Sequence, residues 1–232
     1  MTEKAVRSQA KTATAPRRRG PYDSELMTER RRRMIDVAKA MIAESGAEGF
    51  TIRELTRRAE VSVTVVYSAY GDKEGLIAAA IQDFYEKLDL AHRPAARTLN
   101  RMLGDIDEAA AIILANPSYS RSVAALYFSP TVDSRVYAIV RDIAVRTFLP
   151  WLENTMAHGE TVPGLPIETM CATLANDRWA VIFDWARGRI ADARLAEAMK
   201  TSFLISAAGL ATGETRGKLE AALAKLLPDV SR

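Results

Sequence analysis

Two short helices, each opened by a hydroxyl-bearing cap and separated by a tight turn, are written into residues 51–76, TIRELTRRAEVSVTVVYSAYGDKEGL. No other stretch restricts the fold of this chain so narrowly. Thr51 and Glu54 have the spacing of a capping box, in which the threonine oxygen takes the N3 amide and the glutamate reaches back to the cap. Ile52, Leu55 and Ala59 then recur at helical intervals. Ala59, Glu60 and Val61 form the turn, and Ser62 is a second N-cap before a helix running to about Tyr70. Two helices joined by so short a turn make a helix-turn-helix, whose second helix fits a DNA major groove. DNA binding is the expectation. The exposed side of the second helix should present Val63, Thr64, Val65, Ser68 and Ala69, with Ser62 at its start, while Val66 and Tyr70 enter the core. Methyl-bearing side chains of this kind read thymine C5-methyl groups and make no bidentate contact to guanine. Thr51, at a helix N-terminus, offers amides and a hydroxyl to phosphate.

The charge distribution agrees. The net charge of +3 is unevenly placed: up to Tyr70 there are fourteen Lys and Arg against nine Asp and Glu, and afterwards eighteen against twenty. The basic half is the half with the helix-turn-helix, as an electrostatic footprint for phosphate requires. Residues 1–21 are poor in apolar groups and carry Arg17, Arg18 and Arg19, which reads as a disordered basic arm. Those three arginines either lie in an adjacent minor groove or belong to a solvated tail. Of Arg30, Arg31, Arg32 and Arg33, which point all ways round one helix, one or two can face phosphate.

The remainder predicts an all-α chain. At 232 residues with 48% hydrophobic and 26% charged side chains, it can bury a substantial core. No alternating strand pattern occurs, and glycine and proline fall at breaks between apolar stripes of helical period. Helices are expected at about 24–45, 96–115, 119–128, 132–157 (kinked at Pro150), 167–187, 192–211 and 216–227, besides the helix-turn-helix pair and a helix capped by Asp72 that runs to His92. The domain reading is an arm at 1–22, a DNA-binding domain at 23–72 and a second domain at 73–232. No apolar run nears the roughly 20 residues that span a bilayer, and no secretory signal is legible, so no membrane association and a cytoplasmic location are expected. A single cysteine, Cys171, excludes an internal disulfide framework.

A wider set of residues resembles the N-terminal signature of the tetracycline-repressor (TetR) family. It comprises Met34 to Ala38, Ser45, Gly46, Phe50, Thr51, Leu55, Ala59 to Ser62, Val66, Tyr67, Tyr70 and Asp72 to Leu76. The resemblance covers roughly residues 30–84 and implies a helical homodimer that binds palindromic operator DNA and is released by a small-molecule effector in its C-terminal domain. It implies that Tyr67 and Lys73 anchor the DNA backbone, and that the last two long helices pair in a dimer interface. Glu60 departs from the family's usual turn glycine, and Ala69 from a polar residue that commonly contacts phosphate.

Within the C-terminal region, Tyr127, Phe148, Trp151, Trp179 and Phe183 supply large apolar groups for a cavity, with Asp177 and Arg178 as its polar anchor. Most such aromatics serve as ordinary core, and Asp177 and Arg178 equally suit a structural or cross-dimer ion pair. The effector should be apolar or amphipathic, with one or two polar groups. Catalytic signals are absent: His92 and His158 have no metal-ligand spacing, Cys171 has no companion cysteine, and the GETRGK run at 213–218 lacks a phosphate-loop context. No enzyme, cofactor or metal is expected. The competing reading is a constitutive DNA-architectural or protein-interaction module that uses the same fold without an inducer.

Overall fold

Helix α1, Pro21–Ser45, is the longest described element; α2, Ile52–Ala59, packs on it, and α3, Val63–Tyr70, packs on α2 and on the helix that follows. The structure is a computed structural model that describes residues 21–87 and 98–226. Met34, Ala38, Met41 and Ile42 recur on one face of α1 and are buried with Phe50, Leu55, Ala59 and Val66 in the small domain's core. Helix α4, Lys73–Lys87, joins this unit to the second domain, packing on both α1 and α7. Its Asp83 takes the Lys39 ammonium at 2.7 Å, and Asp36 takes the same group at 3.0 Å. Burial lowers the lysine's pKa, but the two carboxylates outweigh it and raise the value.

The second domain is a bundle of α5 (Leu99–Ala115), α6 (Pro117–Tyr127), α7 (Ser134–Ala157), α8 (Ile167–Ala186), α9 (Leu195–Leu210) and α10 (Gly213–Leu226). Its core holds Met102, Phe148, Leu152, Met170, Trp179, Trp185 and Leu204, all essentially inaccessible. Each such side chain contributes about 1.5–3 kcal/mol through burial. Among the described residues no strand forms; one isolated bridge joins Thr161 to Ala211.

Several helix ends differ from the sequence expectation. Helix α6 begins at Pro117, because at N1 the missing N–H is one of the orphan donors anyway. Helix α7 starts only at Ser134, where Asp133 caps the Arg135 amide, and runs through Pro150 to Ala157 without ending. The segment from Asp192 opens as a 3-10 turn, and α9 proper starts at Leu195. Helix α10 starts three residues early, at Gly213. There Glu160 from the preceding loop reaches its first turn, accepting from the Glu214 amide at 3.2 Å and from the Thr215 hydroxyl. A protein carboxylate therefore sits at the N-terminus of the GETRGK run. The helix expected from 96 starts at Leu99, where the Thr98 hydroxyl accepts the Arg101 amide at 3.3 Å, and the end of α4 near His92 lies outside the described residues.

Candidate nucleic-acid interface

The caps foreseen at both short helices form. Thr51 Oγ1 accepts the Glu54 amide at 3.3 Å, and Ser62 Oγ accepts the Val65 amide at 3.4 Å. The capping box is only half made. Glu54 turns instead to Arg57 and Arg58, which donate to it at 2.6–2.9 Å. Guanidinium donors outcompete a single backbone amide. They hold the Glu54 carboxyl at about 2. Arg58 also reaches Glu44 of α1 at 2.7 Å, tying α2 to the long helix. In the turn, Glu60 adopts φ 52° and ψ 48°, and its N–H closes on the Thr56 carbonyl. It is the one non-glycine residue at positive φ among those described.

Helix α3 turns a narrower face outward than its sequence suggested. Val63 and Tyr67 are 47% and 48% exposed, and Thr64 and Ser68 are exposed beside them. These are positions i, i+1, i+4 and i+5, one side of a short helix. Val65 and Ala69, expected outward, are half-buried and packed against the core next to Val66. Tyr70 is held at the small domain's edge, donating to the Arg31 carbonyl at 3.3 Å.

At the start of α4 the two neighbouring charges divide their work. Asp72 Oδ1 accepts the Gly75 amide at 2.7 Å, and Oδ2 accepts from Arg135 of α7 at 2.9 Å. Arg135, then the Gly75 amide, pull the Asp72 carboxyl below its usual range. Lys73 makes no ion pair or hydrogen bond with its side chain among the described residues, so its ammonium remains available. Arg53 was not singled out by sequence. It is exposed two residues after Thr51, without an ion pair, whereas Arg57 and Arg58 are engaged by Glu54. The signal for it was the absence of an acidic residue at its i+3 and i+4 positions. Arg30 to Arg33 are all exposed, Arg33 lying 3.9 Å from Glu60. Arg17, Arg18 and Arg19 lie outside the described residues.

The seven residues considered for a ligand cavity do not converge on one space. Tyr127 stacks between Tyr137 and Trp179 and donates to Asn176 Oδ1. Phe148 and Trp151 both pack on Phe203, and Phe183 packs on Phe128. Asp177 accepts from Ser206 of α9, while Arg178 donates to Thr147 of α7 at 2.8 Å. The two charges therefore serve different helix pairs. A groove of about 1170 Å³ opens elsewhere, between α5, α7, α9 and α10. Trp151 and Thr155 form part of its wall, with Leu103, Lys200 and Leu219. Among the described residues no three metal-binding side chains converge, and no helix is long and apolar enough to cross a membrane.

Comparison with known proteins fits this geometry. Residues 34–80 match the model of bacterial regulatory proteins of the tetR family. The chain is 30% identical over 93 residues to the HTH-type transcriptional repressor KstR of Mycolicibacterium smegmatis. That match spans 37% of this chain and 46% of the repressor, a little under half its length. In structure, a tetR-family transcription regulator from Shewanella sp. PV-4 superposes with a TM-score of 0.59 at 18% identity, over 79% of this chain and 99% of the other. TylP, a tetR regulator from Streptomyces fradiae, gives 0.57 at 20% identity, over 88% and 90%. The helix-turn-helix segment of this chain, residues 34–80, is thus similar in sequence to the tetR family of bacterial regulatory proteins, and its all-helical fold is similar to that of tetR-family structures.

Proposed function

We propose that the protein is a transcriptional repressor that binds a palindromic operator as a homodimer and is released by a small amphipathic effector. One observation carries this reading: α3 leaves Val63, Thr64, Tyr67 and Ser68 exposed, and among the described residues neither Arg53 of α2 nor Lys73 at the start of α4 forms an ion pair. Val63 and the Thr64 methyl would contact thymine methyl groups in the major groove, with Ser62, Val65 and Ala69 behind them. Tyr67, Lys73, Arg53 and the Thr51 end of α2 would hold phosphates, which position the helix without specifying sequence. Arg17, Arg18 and Arg19 would add phosphate contacts.

The dimer would form through α8 and α9, where Ile205 is 57% exposed among small residues such as Ser202 and Ser206. Two copies related by a two-fold axis require an inverted repeat, with half-site centres about 10 bp or a multiple apart. The groove beside Trp151 supports an effector over the constitutive module. Release then follows from differential affinity of the ligand for two dimer conformations, about 1–3 kcal/mol of coupling.

Nuclease protection across the DNA flanking the protein's own gene tests this. An inverted repeat protected at nanomolar dimer is expected; uniform, sequence-independent protection would leave only non-specific DNA binding. A second assay titrates metabolites of the flanking genes against the protein–operator complex. Release by one of them is expected, and its dissociation constant must rise by the same factor when operator is saturating.

A further inference from the structure

Among the described residues, Arg178 alone joins a formal charge to a buried side chain, 9% exposed. It lies in mid-α8, within the buried stripe of Leu174, Ala175, Trp179 and Ile182. Nη1 has one partner, Thr147 Oγ1. Nε is buried and has no acceptor, and the same is true of Trp179 Nε1 on the next residue. Trp185, two turns along, does find an acceptor, Asp192 at 2.8 Å. Among the described residues no carboxylate forms an ion pair with Arg178, and the titrating group that acts on it is the neutral phenol of Tyr85 on α4. Burial lowers the guanidinium pKa, yet such a group starts so high that it keeps its proton. An uncompensated charge in an apolar interior is costly, and a methionine would fill the same space without that cost.

The structure assigns Arg178 as the counter-charge for an amphipathic organic acid, whose carboxylate takes the donors this side chain leaves unused and whose apolar body points toward the Trp151 wall of the groove. This rests on the effector reading above and names the class of effector. A singly charged carboxylate fits better than a phosphate. One guanidinium and one hydroxyl neutralise and orient a monoanion, whereas a dianion would need a second cation. Arg178 does not itself line the groove, but α7 connects the two. Thr147, Trp151 and Thr155 recur every four residues on one face, and the latter two line the groove of about 1170 Å³. The groove wall therefore ends one helical turn from Arg178's partner. The same cation acts on Tyr85 of α4, the helix that begins at Lys73, so neutralising it is felt by the element that carries the DNA-contacting end.

The test uses the full chain without DNA, at constant ionic strength. Benzoate, octanoate and dodecanoate are each compared with the alcohol of the same skeleton, by tryptophan fluorescence and thermal shift. At least one acid should bind the wild type ten times more tightly than its alcohol or better. Arg178→Met should remove that preference while melting no lower than wild type. Arg178→Gln, which keeps a donor for Thr147, covers a Met variant that fails to fold. The assignment is overturned if no acid binds, if acids and alcohols bind alike, or if the preference survives in the variants. Alcohols binding as well as acids would leave a ligand site intact and remove only the charge requirement. An acid that binds through Arg178 but leaves operator affinity unchanged would instead keep the site and sink the effector reading.

Discussion

Glu60 holds a backbone conformation that costs an L-residue with a Cβ roughly 1–2 kcal/mol, and its side chain recovers little through a 3.9 Å pair with Arg33. Glu60→Gly should therefore stabilise the fold, by up to about 1 kcal/mol once glycine's larger unfolded-state entropy is deducted. Thermal melting checks this, and a lower melting temperature would mean that the ion pair outweighs the strain. Lys73→Ala should weaken binding to all operator variants alike and lower the log–log salt slope by roughly 0.9, the loss of one phosphate contact. A changed base preference with an unchanged slope would remove Lys73 from the backbone. Such residues were legible because local chemistry fixes them: Thr51 and Ser62 cap, and the position after Asp72 opens a helix. Val65 and Ala69 were not, because eight residues make barely two turns and the apolar pattern allows either face outward. Glu54 escaped because its choice between the cap amide and two guanidinium groups is decided by side-chain geometry.

Among elements, the start of α10 depends on Glu160, a carboxylate 54 residues away from the amide it meets. The Thr215 hydroxyl, then the Glu214 amide and the nearby Lys218, hold that carboxyl below its ordinary value of 4.5. A depressed folded-state pKa contributes stability above the unfolded value and loses it as pH falls through the folded one. Amide protection in Gly213–Leu226 should thus be flat from pH 7 to about 5 and fall in the acid range below. Glu160→Gln should start lower and lack that acid step, as hydrogen exchange would reveal. An identical step in the variant would assign it to other carboxylates. No window centred on residue 213 contains this partner, so the helix was placed three residues late. The interior of each helix was readable from its apolar period, and its ends only where the cap lay next to it in the chain.

For the whole molecule, the all-α architecture followed from periodicity, but the position of the open groove did not. Aromatic residues mark volume rather than vacancy, so Tyr127, Phe148 and Phe183 proved to be packed on other rings. The open groove is instead bounded by α10, which carries no aromatic residue. Assembly offers the next test. Ile205→Glu places a charge in the proposed α8–α9 interface and should give monomers by light scattering, with operator affinity falling at least a hundredfold. Persistent dimers would move the interface to another face. Helix α4 then sets what such a dimer can do with a ligand. Its fifteen described residues span roughly 22 Å, with Lys73 at one end of them and Tyr85 near the other. A tilt of only about 5° about one tip swings the opposite tip by about 2 Å over that length, more than the tolerance of a hydrogen bond to phosphate. In the proposed repressor such a rod would act as a lever without any helix melting: a displacement too small to disturb packing beside Arg178 would be enough to lift an ammonium off DNA.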